Sequence, residues 1–421
     1  MISKIKQALT IKDIRKKLLF TFFMIIVFRL GTTIPVPGIN TSVIKNMVEK
    51  NSLLGLYNMF SGGAFSNFTI FALGIGPYIT ASIIIQLLTA GFESLKELQK
   101  SGEEGKKKIN KYTRMTTLGL AIIQAVGITL GIVRSALKVN NPFFIFTVII
   151  TLVAASMMVM WLGDRITEKG LGNGSSVLIF IGIISRLPID IGAIAQRVNI
   201  GLLKWPATIF IVVVLITITG VTFINESTRK IPVQYAKRVV GRKMYGGESS
   251  HIPMKVNQSG VMPIIFASSI LALPQTIALL GGSKMQAAVN AFFNLSTDKG
   301  FWTYRIIEIV LIVLFSYFYN TISFNTEDIT KNMKNSGGFI PGIRPGKPTE
   351  NYLGGILSKL TIVGAAFLGL MAMIPALMTH YMQIPMNFGG TSLLIIVGVA
   401  LELKRQLESN LVMKNYQGFL K

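Results

Sequence analysis

No cysteine occurs in the 421-residue sequence, which excludes disulfides, thiolate metal sites, iron–sulfur clusters and a cysteine nucleophile. Histidine is nearly absent too. His251 and His380 are the two copies; they fall in different loops between apolar stretches, without paired carboxylates at metal-binding spacing. Charge is the third shortage: 14% of residues are Asp, Glu, Lys or Arg, where a soluble domain carries about 25%. A water-soluble fold of this size would lack the charges to solvate its surface. Acidic residues are scarcest, 18 against 42 Lys plus Arg. An ion-driven carrier keeps several carboxylates within its spans, and an intramembrane aspartyl protease needs two aspartates there. The span or near-span charges here are Arg29, Glu308 and Glu402, while Asp164 and Asp190 lie at span ends or in loops.

What the sequence has instead is apolar length: 51% of its residues are hydrophobic and its mean hydropathy is +0.56. Ten apolar stretches stand near residues 18–34, 70–92, 115–133, 143–162, 175–187, 205–224, 260–280, 304–324, 356–373 and 389–401, two of them short. At about 20 residues per crossing these predict ten transmembrane helices. Residues 1–17 interleave Ile2, Ile5, Leu9 and Ile14 with six basic residues, the pattern of an amphipathic helix at the head groups. The apolar run that follows ends in Pro35-Val-Pro37-Gly38 without a small-x-small cleavage site, so it reads as a retained first span and not a signal peptide.

The net charge of +24 falls between spans, where membrane orientation and anionic lipids account for it better than free nucleic acid does. Alternate inter-span segments hold 31 of the 42 basic residues, which places both termini and the basic loops in the cytoplasm. Five spans precede the 188–204 segment and five follow it, so the halves 18–187 and 205–401 have opposite membrane topology, as in inverted-repeat transporters and channels. Residues 188–204 read as an external hinge loop, 225–257 and 325–355 as basic cytoplasmic loops, and 402–421 as a cytoplasmic tail. Residues 51–70 are too polar and glycine-rich for a lipid-facing helix; such backbone lies outside the membrane or folds back against a cavity.

The run Gly170-Leu-Gly172-Asn-Gly174 has no strand before it and no Lys-Ser/Thr after it, so it reads as a tight lead-in to the fifth helix, not a phosphate loop. Isoleucines recur beside small and helix-breaking residues: Ile75 and Ile79 around Gly76-Pro77, Ile179 after the glycine run, Ile265 after Pro263, and Ile395 after Gly389-Gly390. Aliphatic residues at such places ordinarily pack in a core or face lipid; gathered in a ring at mid-depth they would form a dewetting gate. The loop 225–257 contains Arg238 and Arg242, and the second basic loop contains the turn-rich Pro341-Gly-Ile-Arg344-Pro-Gly346. Positive-inside solvation explains these charges, and docking of a cytoplasmic partner is the sharper reading.

At these residues the sequence closely resembles the SecY family, the channel subunit of the Sec protein translocase. The segments that carry the likeness are Ile34-Pro-Val-Pro-Gly38, Asn58-Met-Phe-Ser-Gly-Gly-Ala64, Phe71-Ala-Leu-Gly-Ile-Gly-Pro-Tyr-Ile79, Tyr235-Ala-Lys-Arg238, His251-Ile-Pro-Met-Lys-Val-Asn257 and Phe388-Gly-Gly-Thr-Ser-Leu-Leu394. The resemblance implies an all-α polytopic membrane protein: ten transmembrane helices in two inverted, pseudo-symmetric five-helix halves around a central pore with a plug. It implies a pore ring of Ile75, Ile79, Ile179, Ile265 and Ile395, with Ser175 where related sequences can carry another apolar member. The plug would be Tyr57, Asn58, Met59, Phe60, Ser61, Gly62, Gly63, Ala64, Phe65, Ser66 and Asn67. The lateral gate would lie between spans two and three on one side and seven and eight on the other, where Gln86, Gln124 and Asn257 would meet.

The same resemblance implies that Arg238, Arg242 and Arg344 contact the motor ATPase SecA or the ribosome. Small SecE and SecG-type subunits would stand beside the chain, signal-sequence-bearing polypeptides would be its clients, and the bacterial plasma membrane its location. No cofactor and no catalysis are implied, since no nucleotide motif is present. The competing class is a small-solute carrier built from inverted repeats. That alternative calls for a polar midplane site, whereas the residues offer an apolar constriction and large basic loops.

Overall fold

The computed structural model describes residues 9–50, 54–55, 58, 61–137, 141–199, 204–235, 238–240, 243–245, 249–280, 282–295, 297–382, 384 and 390–419. Each of the ten apolar stretches carries a helix. They are α1 (Lys12–Gly31), α3 (Gly76–Gly91), α5 (Glu103–Gly131), α6 (Pro142–Lys169), α7 (Gly174–Ile184), α9 (Lys204–Glu226), α10 (Met262–Leu280), α12 (Asp298–Ser323), α14 (Lys347–Tyr381) and α15 (Gly390–Phe419). Shorter helices intervene: α2 (Thr41–Lys50), α4 (Glu93–Lys100), α8 (Leu187–Asn199), α11 (Gly282–Phe293) and α13 (Thr326–Asn335). Among the described residues, six helical segments are long and apolar enough to cross a membrane, or seven if the bent pair α3 and α4 is one span.

Local chemistry sets the helix ends. Asn141 caps α6 by accepting from the Phe143 amide, with Pro142 at the first helical position. Asn325 caps α13 by accepting from the amides of Glu327 and Asp328. Inside the apolar helices, Thr and Ser hydroxyls return to the carbonyl four residues back, as at Thr117, Thr217, Ser268 and Ser316. With apolar neighbours all round, that is the partner each hydroxyl can reach.

Several sequence boundaries move. The divide expected at residue 17 falls inside α1, and the tail expected from 402 is the continuation of α15. Charged residues lengthen these helices without interrupting them, because helix propensity does not change at the hydrocarbon boundary. The expected hinge loop 188–204 holds α8, which follows α7 after a short turn. His251 lies in a strand and His380 in α14, so neither is a loop residue.

The two basic loops form a sheet. Strand β1 (Thr228–Tyr235) pairs antiparallel with β4 (Ser249–Lys255), Ile231 opposite Ile252, and along its other edge with β5 (Gly338–Phe339), Gln234 opposite Phe339. Between β1 and β4, β2 (Arg238–Val240) and β3 (Lys243–Tyr245) form a separate ribbon. Pro232 is tolerated in β1 because β5 pairs only with Gln234 and Tyr235. Beneath the sheet Ile231, Val233 and Met254 pack on Met333, Leu353 and Ile356.

Two seams join the halves. On one, α10 packs against α3 and α5; on the other, α15 packs against α7 and α1.

Candidate functional site: an apolar constriction with a folded-back segment

The five isoleucines come from four separate parts of the chain and lie in one buried cluster. Ile75 precedes α3 and Ile79 is in its first turn, Ile179 is in α7, Ile265 in α10 and Ile395 in α15, all at most 6% exposed. Seams from both halves therefore converge here. Such side chains offer no hydrogen bond and no charge, so they exclude ions and water without holding a particular sequence.

Helix α7 reaches this point through its glycine run. A Cβ at Gly174 would sit 1.9 Å from the Gly163 carbonyl oxygen, so only glycine lets α7 start against α6. Asn173 caps α7, accepting from the Ser175 amide at 3.1 Å and the Ser175 hydroxyl at 2.6 Å. Ser175 thus directs its hydroxyl into the cap. The Thr21 hydroxyl accepts from the Leu171 amide at 2.9 Å, which fastens the run to α1.

Of the expected plug, Tyr57, Met59 and Phe60 lie outside the described residues. Residues 61–67 fold into consecutive turns, to which Asn58 is hydrogen-bonded. The Asn58 carbonyl accepts from the Gly63 amide at 2.9 Å and its Oδ1 from the Ser66 amide at 2.8 Å. Ser61 donates to the Asn58 carbonyl and accepts from the Phe65 amide, each at 3.1 Å. These side chains supply the partners a lipid-facing helix would have supplied itself. Ala64 belongs to the same buried cluster as the five isoleucines, while Phe65 and Phe68 anchor a second cluster with Ile44, Ile128 and Leu152. The Ile34 to Gly38 segment fastens the end of this folded-back stretch: the Val36 amide donates to the Phe68 carbonyl at 2.9 Å, and the Ile70 amide to that of Ile34 at 3.0 Å.

Of the three residues expected at the gate, Asn257 and Gln86 have different partners. Asn257 donates its amide to Asn225 Oδ1 at 2.8 Å and to the Gly260 carbonyl at 3.0 Å, which ties α9 to the start of α10. Gln86 donates to Ser82 on its own helix at 3.1 Å. Gln124 is buried in α5. None of these bonds joins one of the three to another: the amide of Asn257 is drawn to its close neighbour Asn225. The seam itself is apolar helix on helix, α10 on α3 and α5.

Of the arginines expected to dock a partner, Arg344 is exposed on the turn after β5, where its carbonyl accepts from the Thr349 hydroxyl at 2.8 Å. Arg238 begins β2, and the structure describes its backbone; Arg242 lies outside the described residues. The β1–β5 pairing brings their two loops together. Lys404 pairs with Glu226 at 2.5 Å and Arg405 donates to the Asn225 carbonyl, which binds α15 to the end of α9. Burial, and then the nearby Arg405 cation, holds the Lys255 amine below its ordinary range.

Three features went unread in the sequence. Arg305, one helical turn from Glu308, forms with it a buried ion pair in α12. Arg29 donates to the Ser185 hydroxyl at 2.9 Å across α1 and the end of α7. His380 meets Asp298 at 2.8 Å and stacks on Phe301, 4.2 Å between centroids, joining the ends of α14 and α12. The i, i+3 spacing of Arg305 and Glu308 was a legible signal; the other two pairings span 82 residues or more and left none.

Comparison with known proteins decides the family. The sequence model of SecY matches residues 69–404. The chain is 43% identical over 438 residues to the protein translocase subunit SecY of Streptomyces scabiei, covering all of both chains. To that of Thermotoga maritima it is 42% identical over 428 residues, 99% of this chain and 97% of the other. The chain belongs to the SecY family. Among solved structures, a protein-conducting channel superposes with a TM-score of 0.70 at 19% identity, covering 94% of this chain and 92% of that one. The Sec61 of a canine ribosome–channel complex superposes at 0.65 and 18%, with the same coverage. At those identities the likeness is one of fold, an all-α multi-pass membrane protein. The solute-carrier alternative finds no support among these SecY relatives.

Proposed function

We infer that this SecY-family chain is the protein-conducting channel of a translocase, moving unfolded secretory polypeptides across a membrane and releasing apolar segments sideways into it. The observation that carries the reading is the single buried cluster in which Ile75, Ile79, Ile179, Ile265 and Ile395 meet Ala64 of the folded-back segment. An aliphatic collar with a removable stopper seals against ions at rest and is indifferent to the sequence that passes. The α10 seam with α3 and α5 is the lateral gate, and Gln86, Gln124 and Asn257 line its polar margin. A signal sequence opens it by binding the parted state more tightly than the closed one, a population shift.

The channel catalyses no reaction. Arg238 and Arg242 in one loop and Arg344 in the other receive a SecA-type motor or the ribosome, with SecE and SecG-type subunits alongside. Both termini face the cytoplasm of a bacterial plasma membrane, consistent with 31 of 42 basic residues on that side. A photo-crosslinking residue at Ile79, offered a stalled secretory precursor with ATP and the motor, tests the reading. Adducts that require a functional signal sequence are expected. Translocation without any adduct would remove Ile79 from the path.

A further inference from the structure

A cavity of about 810 Å3 opens between the halves, away from the constriction. It lies where α3 bends by 100° into α4 and where α12 gives way to α13. The apolar runs of both spanning helices end there and charged helices begin, so the cavity sits at the depth where hydrocarbon meets head groups. Its volume is that of a site for a small organic ligand.

Its walls carry opposite charge. Lys96 and Lys100 of α4 and Lys106 of α5 line one side, Glu327 and Asp328 of α13 the other. Among the described residues none of the three lysines makes an ion pair. Glu327 is held by Lys331 through Oε1 at 2.6 Å, and Asp328 by Asn325 through Oδ2 at 2.7 Å. The hydrogen bond from Lys331 keeps the Glu327 carboxyl below its ordinary range, with smaller contributions from Lys100 and Lys96 across the gap. Between the walls stand Tyr319 and Ile322 of α12, the latter 43% exposed.

A simple anion in this cleft would face two carboxylates, and a simple cation three ammonium groups. A dipolar ligand satisfies both walls. We propose that the cleft binds the head group of a zwitterionic phospholipid, its phosphate on Lys96, Lys100 and Lys106 and its ammonium on Glu327 and Asp328. Lysines at the interface are suited to a phosphate as mobile point charges. The acyl chains leave over Ile322, and the bound lipid spans the two halves beside the α10 seam.

Native mass spectrometry of the full chain, released from nanodiscs of equal phosphatidylethanolamine and phosphatidylglycerol, tests this. One retained phosphatidylethanolamine per chain is expected. Glu327→Gln with Asp328→Asn should lower the ratio of retained phosphatidylethanolamine to phosphatidylglycerol about fivefold, the scale of two surface ion pairs. Changing the three lysines to Gln should abolish retention of both. Lys331→Gln frees the Glu327 carboxylate and should raise the ratio, a gain that simple misfolding does not give. Equal retention of both lipids by the unaltered chain, an unchanged ratio in the acidic double variant, or no retained lipid would each overturn the proposal. The readout is bound lipid, not transport, so it stands or falls apart from the channel reading.

Discussion

Gly62 of the folded-back segment rests on Gly182 of α7, so closely that a Cβ at Gly62 would lie 2.8 Å from the Gly182 Cα. Its φ of +67° is also one that L side chains resist. Two independent costs therefore oppose a side chain there. Gly62→Ala should lift the plug from its seat by about 1–3 kcal/mol. The expected result is a raised resting ion conductance in planar bilayers with preserved α-helical content; an unchanged conductance would separate this contact from sealing.

The collar predicts a graded response. Ile79→Ser replaces an aliphatic face with a hydroxyl and weakens the dewetting barrier, so chloride or proton leak through reconstituted vesicles should rise while precursor transport continues. Ile395→Ala, at a fully buried position, should also cost about 2–5 kcal/mol in stability, because it leaves a cavity inside the cluster. Thermal unfolding in detergent reads the second effect apart from the first.

Arg305 and Glu308 are buried together, and the guanidinium lies over the rings of Phe301 at 5.5 Å and Tyr304 at 5.2 Å. Arg305→Met strands a carboxylate in an apolar setting and should destabilise the protein by about 3–5 kcal/mol. Adding Glu308→Leu should recover most of that loss. Detergent melts of the two single variants and the double variant form the cycle; a double variant no better than the singles would show that packing, not charge, holds this helix.

Lys331 holds the Glu327 carboxyl below 4.5. A depressed folded-state value means that the pair stabilises α13 above the unfolded value near 4.5 and releases it as pH falls through the lower folded one. Isotope-labelled glutamate spectra should give a Glu327 midpoint under 4.5, returning upward in Lys331→Gln. A midpoint that ignores the substitution would discount the pair.

The sheet under the basic loops predicts long-range damage to docking. Val233 is buried beneath β1, and Val233→Asp places an unpaired carboxylate among Met333, Leu353 and Ile356. Motor or ribosome affinity should fall by at least as much as it does for Arg344→Ala, although Val233 is buried and Arg344 exposed. Equilibrium binding to proteoliposomes checks the order of the two effects.

The apolar helices were legible because apolar length is a property of consecutive residues, and so was the glycine run as a tight entry into α7. The convergence of Ile179 with Ile395 was suggested only by family resemblance; no local pattern brings residues 216 positions apart together. The sheet was missed because β5 is two residues long and β1 contains a proline. The bond from Asn257 to Asn225 was not legible either, because no periodicity marks a residue at the end of α9 as its partner.

The 30 residues of α15 run unbroken from the collar to Phe419. Ile395 sits near one end, and Leu411 packs on Ile14 near the other, about 24 Å away at helical rise. An unbroken helix transmits displacement without slack, so a partner that tilts the Leu411 end moves Ile395 by leverage. A push on the Leu411 end would then reach the collar through the rigidity of one continuous helix.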